Sequence, residues 1–360
     1  NLEELRGRTI LDDGLYVNLP LLVKQSVMLF PGQTLPMTVF DTQTIDMIRT
    51  CIENDRTLGV VCLGYDKMVP IGTTAEIYEC MYDPDQGFRL KAKGRQRFKI
   101  LRVIIQVSFK INHHICNIVI IKVIIYVNEL FIIYVNFLLT PWPAWVYRQY
   151  DPLRLSLKIR QRLQFIESKG SSIPEDPSDL SFWVAQNLLL DDNERIVLLN
   201  YDCAISRLQR EMKYLVEDKE FVCCNCDSYI GRQSHMFPMS KEGPQGTYCN
   251  PSGIIHETVT LYQAQGLALS DNPPSINYTW FPGYAWTVAT CRNCGDHMGW
   301  RFTAVKNNLR PRAFWGLIPN QKFNKYLRPK GSLYSNMIRI CQRTLPNKFA
   351  NRRLLTFNSN

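Results

Sequence analysis

Four of the twelve cysteines are paired at a spacing that binds metal. Cys223 and Cys226 form one Cys-x-x-Cys knuckle, and Cys291 and Cys294 form the other. A two-residue gap lets both sulfurs of a knuckle reach one ion, and two knuckles complete a tetrahedral four-sulfur set suited to zinc. Four thiolates leave no open coordination position, so one structural zinc is expected, not a catalytic one. The 64 residues between the knuckles exceed a zinc-finger loop, so the ion is expected to join two distant hairpins of a single β domain. A redox role would require a βαβ context that the flanking sequence lacks. Cys224 stands too close to Cys226 to form a knuckle with it, and His235, His256 and His297 read as surface or core histidines. Cys51, Cys62, Cys80, Cys116, Cys203 and Cys341 are scattered through apolar or helical patterns. That scatter fits a reducing compartment better than a secreted disulfide framework.

Around the second knuckle stand Trp280, Trp286 and Trp300, with Tyr284 and Phe302 nearby. Three indoles in so short a stretch either fill a core or wall a cage for a compact ring or a cation. A zinc site beside such a cage would hold its walls rigid and lower the ordering cost of binding. No acidic residue lies between 280 and 295, which disfavours a cation, although Asp296 follows closely. Ser-His-Asp, His-Glu-x-x-His and Gly-x-Ser-x-Gly arrangements are absent, as are nucleotide-binding glycine loops. His256-Glu257 is an isolated pair that reads as fold-supporting. No catalytic residue is assigned, and the chain is expected not to be an enzyme.

These residues must be positioned by elements of three kinds. Residues 18–100 read as short strands separated by Pro, Gly and Asp, with one amphipathic helix over Thr42–Ile52. Residues 151–218 turn helical. Leu153, Leu157, Leu163 and Ile166 give the first apolar stripe, Asp176-Pro177 opens a second helix through Leu190, and Asp192 caps a third through Leu215. Residues 219–320 return to short strands rich in aromatics. Residues 101–139 differ from all of these, with eleven Ile and no Gly, Pro, Ala or Asp. They are expected to lie outside a regular β core. Translated non-coding sequence, a divergent strand pair and a membrane span are the readings, the last opposed by Lys122, Asn128, Glu129 and Asn136. The net charge of +10 is uneven, since the 35 residues from 326 hold seven Lys or Arg and no acid. A loose basic tail is expected, with no nucleic-acid partner. The acidic start, without an apolar run, argues against a signal peptide.

Several stretches together resemble the cereblon family of cullin-RING ubiquitin ligase substrate receptors. They are PGQTLPM at 31–37, GTTAEIY at 72–78, GRQRFKIL at 94–101, NPSGIIHET at 250–258, WFPGYAWTVATCRNCGDHMGW at 280–300 and FWGL at 314–317. TPWPAWVYRQYDP at 140–152 and AISRLQREM at 204–212 match more weakly. The resemblance implies a mixed fold: a β-rich Lon N-terminal-like domain with a helical segment, then a mainly β zinc-binding domain. The expected boundaries are 18–147 for the Lon-like domain with 101–139 as an anomalous insert, 148–218 for an adaptor-docking helical segment, 219–320 for the zinc domain, and 321–360 for a divergent tail. It implies zinc on Cys223, Cys226, Cys291 and Cys294. It also implies a ligand pocket of Asn250, Tyr278, Trp280, Trp286, Trp300 and Phe302. In the family that pocket takes small cyclic imides, thalidomide-type drugs and C-terminal cyclic imides on proteins. The implied partners are a β-propeller adaptor and imide-bearing substrate proteins, in the cytoplasm and nucleus and away from membranes. The alternative is a free-standing small-molecule or modified-peptide binder with no ligase.

Overall fold

The computed structural model describes residues 3–4, 11–12, 14–17, 19–25, 27–64, 68–83, 87–105, 122–127, 144–170, 173–215, 218–319 and 337–340. The N-terminal part is built on an eight-stranded sheet with one helix. Its elements are β1 (Glu3–Glu4), β2 (Gly14–Val17), β3 (Leu21–Gln25), β4 (Thr34–Val39), α1 (Thr42–Glu53), β5 (Thr57–Leu63), β6 (Met68–Asp83), β7 (Gly87–Ile105) and β8 (Lys122–Val127). The strand order is β2-β8-β7-β6-β5-β3, with β1 added to β6 and β4 to β7. The long strands β6 and β7 change neighbours along their length. β4 pairs with the Phe88–Lys93 half of β7, and β8 with the half from Phe98 to Ile105. Register shifts at Thr73/Ala75 and Ile77/Glu79 bend this ribbon, and the sheet curls into a half-barrel.

The three N-terminal motifs meet at that bend. Gly32 N–H donates to the Gly94 carbonyl at 2.9 Å, and Gly94 N–H donates to the Gln33 carbonyl at 2.8 Å. A Cβ at Gly94 would collide with the Phe30 carbonyl, so only glycine permits this approach. Thr73 Oγ1 donates to Leu29 O at 2.6 Å, and the fully buried Glu76 carboxylate is held by Arg56 at 3.2 Å and Arg95 at 2.6 Å. Beneath them β4 alternates half-buried Thr34, Pro36 and Thr38 with buried Leu35, Met37 and Val39. The helix α1 starts where Asp41 accepts from Thr44 N–H at 2.8 Å, and it buries Ile45, Ile48 and Cys51.

Part of the anomalous window belongs to this sheet, since β7 runs through Ile105 and β8 pairs with both β7 and β2. This corrects the expectation of a segment wholly outside the β core. Residues 106–121 and 128–139 lie outside the described residues, as do the other readings of them. The sheet also takes in β1 and β2, which precede the expected start at residue 18.

The helices are α2 (Ala144–Gln149), α3 (Pro152–Arg162), α4 (Gln164–Glu167), α5 (Pro177–Asn187), α6 (Asp192–Asn200) and α7 (Ala204–Met212). Asp151 and Asp176 cap α3 and α5 ahead of Pro at the first turn. Two expectations need correction. The apolar stripe of α3, its cap and α4 runs through Leu155, Ile159, Leu163 and Ile166, while Leu153 and Leu157 are 64% and 61% exposed. The third helix is broken between α6 and α7. Arg97 takes the carbonyls of Leu199 at 2.9 Å and Tyr201 at 2.6 Å, and Arg207 also takes that of Tyr201 at 2.7 Å, so the break leaves those groups satisfied.

The C-terminal part begins with the hairpin β9 (Glu220–Cys223) and β10 (Tyr229–Arg232). It continues through β11 (Gln245–Cys249), β12 (Ile255–Leu261), β13 (Leu267–Leu269), β14 (Tyr284–Cys291), β15 (His297–Ala304) and β16 (Ala313–Leu317). The last six form an antiparallel sheet in the order β11-β12-β16-β15-β14-β13. In the tail, β17 (Met337–Ile340) pairs in parallel with β9, so those four residues are not a loose terminus. No helix among the described residues is long and apolar enough to cross a membrane.

Candidate functional site

The two knuckles fold alike. Cys223 N–H donates to Ser228 O at 2.9 Å and Asp227 N–H to Cys223 O at 3.0 Å. Cys291 N–H donates to Asp296 O and Gly295 N–H to Cys291 O, both at 2.8 Å. Each turn needs a left-handed residue after its second cysteine, Asp227 at φ 56° and Gly295 at φ 77°. The first knuckle leaves β9 and the second leaves β14, so one ion ties the hairpin to the large sheet. The four sulfurs lie within 4.8 Å of one another. Cys223 and Cys294 are 3.5 Å apart, and Cys226 and Cys291 are 3.6 Å apart. Tetrahedral zinc with bonds of about 2.3 Å needs sulfurs about 3.8 Å apart, so the residues present fit one structural Zn²⁺. Burial pushes the Cys223 thiol up to about 12, while a hydrogen bond from Ser228 pulls Cys226 down to about 6. A divalent ion bound there stabilises thiolates and offsets the burial cost. Cys224 is not one of the four.

Strand register assembles the aromatic face. Trp286 pairs with Phe302 and Val288 with Trp300, and Phe302 pairs in turn with Phe314. Side chains at alternate positions share a face, so Trp286, Trp300, Phe302 and Phe314 lie on the same side of the sheet. Gly316 stands opposite Trp300, and a Cβ there would press on the Phe302 ring. Trp280 arrives from the loop before β14. The loop is pinned by buried Phe281, whose ring meets Phe302 at 4.8 Å and Phe314 at 5.0 Å, both edge-on. Trp280 then contacts Trp300 edge-to-face, with centroids 4.7 Å apart, and Tyr248 stacks on its other side at 4.9 Å. His297, three residues past the last zinc ligand, packs edge-on against Trp300 at 5.0 Å and connects knuckle to indole.

The other expected residues take different places. Phe302 is 2% exposed and stacks on Phe314, forming part of the floor. Tyr278 is 62% exposed and left-handed at φ 55°, a costly conformation for a bulky residue. It is held by the Trp286 indole N–H donating to the Asn277 carbonyl at 2.8 Å and by the Ser275–Trp286 backbone bridge. Asn250 sits in the β11–β12 turn, where its Oδ1 accepts from Ile254 N–H at 2.8 Å. Glu257 of the His256-Glu257 pair is ion-paired with Arg195, in keeping with a supporting role. His256 itself was not among the expected pocket residues. Its ring lies 5.6 Å from Trp280 and 5.5 Å from Trp300. Burial, with His297 nearby, lowers its pKa to about 4, so it is neutral at neutral pH. The signal that finds it is the Tyr248↔His256 cross-strand pair, which requires the register.

The substrate-binding domain of the ATP-dependent protease La (LON) matches residues 18–217. Protein cereblon of Gallus gallus is 36% identical over 360 residues, covering 88% of this chain and 80% of that protein. Protein cereblon of Danio rerio is 34% identical, covering 88% and 83%. A crystal structure of a Lon N-terminal domain protein from Xanthomonas campestris is 20% identical, with a TM-score of 0.36, and covers 54% of this chain and 96% of its own. With identity of that extent running through both sheets and the helices between them, the chain belongs to the cereblon family.

Proposed function

We propose that this chain is the substrate-recognition subunit of a cullin-RING ubiquitin ligase, binding cyclic imides on its aromatic face and presenting the attached protein for ubiquitination. The observation that carries this reading is the convergence of Trp280, Trp286 and Trp300 beside the four-sulfur knuckle pair. In this reading the indoles are the walls, Phe302 is the floor, and Tyr278 and Asn250 are at the rim. His256 adds a neutral wall. The ring carbons of an imide gain from apolar burial, roughly 25 cal/mol per Å². Its N–H and carbonyls must meet backbone partners, since an unpaired buried polar group costs about 1–3 kcal/mol. The matched LON part is the substrate-binding one, which accords with a receptor that performs no chemistry itself.

The expected division at 147/148, 218/219 and 320/321 belongs to the same reading, as does residence in the cytoplasm and nucleus. The helices would dock the β-propeller adaptor. Support comes from Trp145, Tyr150, Leu153 and Leu157, large apolar side chains exposed along α2, α3 and the turn between them. The exposed face of α3 is thus partly apolar.

Calorimetric titration of the full chain with glutarimide and with trimethyl-lysine tests the pocket. Glutarimide binding is expected, lost in Trp286→Ala and Trp300→Ala with zinc retained. Binding of the ammonium but not the imide would overturn the reading. Failure to co-purify with the adaptor, in a chain that binds imide, would favour the free-standing binder.

A further inference from the structure

The face of the second sheet turned away from the indoles carries a groove of its own. Thr287 pairs with Arg301 and Arg301 with Trp315, one position out of phase with Trp286, Trp300 and Phe302. Their side chains therefore leave the opposite face. An open groove of about 500 Å³ lies there, lined by the segment 264–269, Arg292, Arg301 and Trp315. That volume is in the range of sites that hold a ligand of several joined groups.

The chemistry of the walls is specific. The Arg301 guanidinium carbon stands 5.4 Å from the Trp315 ring centroid. Stacking on an indole leaves the planar N–H fork of an arginine free to take a carboxylate. Arg301 has no carboxylate partner among the described residues, and no residue lining the groove is acidic. Arg292 spends one N–H on the Leu267 carbonyl at 3.2 Å and adds a second positive charge to the lining. The rest of the lining is uncharged and, apart from Gln265, carries no polar side chain; it includes Leu267, Ala268 and the 40% exposed Leu269. A single small anion would leave that apolar stretch uncovered. A nucleic-acid strand would place phosphates against it. A short peptide with carboxylates flanking an apolar side chain matches two cations, with no acid in the lining, beside an apolar wall.

We propose that this groove is a second client-binding site, which takes a short acidic peptide segment with its carboxylates on Arg301 and Arg292 and its apolar side chain against Leu269 and Trp315. The inference rests on the receptor reading for its biological sense, but the groove and the indole face lie on opposite sides of one sheet and can be tested apart. A client would then be held by its imide on one face and by an acidic stretch on the other. That second contact would favour clients with such a stretch over those that carry the imide alone.

Fluorescence anisotropy of the full chain with a labelled, end-capped hexapeptide of alternating Glu and Val, against its Gln and Val counterpart, tests this. The acidic peptide is expected to bind at least about tenfold more tightly, and to weaken as salt rises from about 50 to about 500 mM. The Arg301→Gln variant should lose that preference while keeping its zinc and its glutarimide titration. Arg292→Gln, at an exposed position, should lose part of it; because its side chain also bonds the Leu267 carbonyl, zinc content and Tm are measured on the same sample. Equal binding of the two peptides, or an unchanged preference in both variants, would overturn the proposal. So would displacement of the peptide by a single-stranded oligonucleotide of equal charge at lower concentration. Loss of glutarimide binding in the parent chain with the acidic preference intact would sink the receptor pocket and leave the groove standing.

Discussion

Cys223 and Cys291 are buried while Cys226 and Cys294 are half-buried, so each knuckle offers the ion one inner and one outer sulfur. Replacing an inner sulfur removes a ligand where water cannot substitute for it. The Cys291→Ala chain is expected to lose its zinc by elemental analysis and to melt at lower temperature, because binding free energy here is folding free energy. Retention of stoichiometric zinc would show that these are not the ligands. His256 gives a pH test. Its folded pKa is depressed to about 4 from the ordinary 6.5, so the unfolded chain takes up the proton first as pH falls. The stability it contributes is full above about 6.5 and is lost as pH drops toward about 4. Replacing it in a His256→Phe chain should flatten the fall of Tm across that window; an unaltered slope would assign the effect to other groups. The cysteines and tryptophans were legible in the sequence because their types and spacing already specify their chemistry. His256 was not, because it needs the β11–β12 register to meet the indoles.

The helices show where periodicity alone stops. A 3.6-residue period in α3 is consistent with more than one phase, and Leu153, Leu157, Leu163 and Ile166 were read as one stripe. The fold selects Leu155, Ile159, Leu163 and Ile166, because these face α5 and α7 across the shared core. Substitution should separate the two sets. Ile159→Ala is expected to cost about 2–5 kcal/mol, as for other buried aliphatic truncations. Leu153→Glu with Leu157→Glu should change stability little, by about 0.5 kcal/mol per site, yet abolish co-purification with the adaptor. Retained co-purification by the double variant would move the docking surface elsewhere. The break between α6 and α7 is hidden from periodicity for a related reason, since Arg97, which takes the freed carbonyls, comes from β7 about a hundred residues earlier. In the first sheet the reverse holds. PGQTLPM and GRQRFKIL carry their own punctuation, and Gly32 and Gly94 mark the contact they make. The apolar run containing β8 has no such punctuation, so its strand was not located from sequence.

The two sheets are joined by charged groups as well as apolar ones. Glu242, between β10 and β11, takes Lys93 at 2.5 Å and the Thr34 N–H at 3.0 Å, while its own carbonyl accepts from Asn187. Arg195 of α6 is 1% exposed and reaches Glu257 of β12 at 2.9 and 3.0 Å. Burial disfavours its charge, but Glu257 and Asp192 outweigh that, and its pKa is raised. The guanidinium therefore stays ionised and depends on its carboxylates. Removing one partner of such a pair costs about 3–5 kcal/mol, because the other charge is left buried and uncompensated. Glu257→Gln, which keeps the shape, is expected to lower stability by an amount near the lower end of that range, since Glu257 is 19% exposed and Asp192 remains 3.8 Å away. The consequence reaches the pocket. Glu257 and His256 are neighbours on β12 and leave opposite faces of the strand, one toward the helices and the other toward Trp280 and Trp300. A strand that loses its anchor on the helix side holds His256 less firmly on the indole side. The Glu257→Gln chain should therefore bind glutarimide more weakly while its zinc content is unchanged. Calorimetry on the variant and its parent at one temperature, where both are folded, separates this from simple unfolding. Equal imide affinity in the two would mean that the joint stabilises the chain without positioning the pocket.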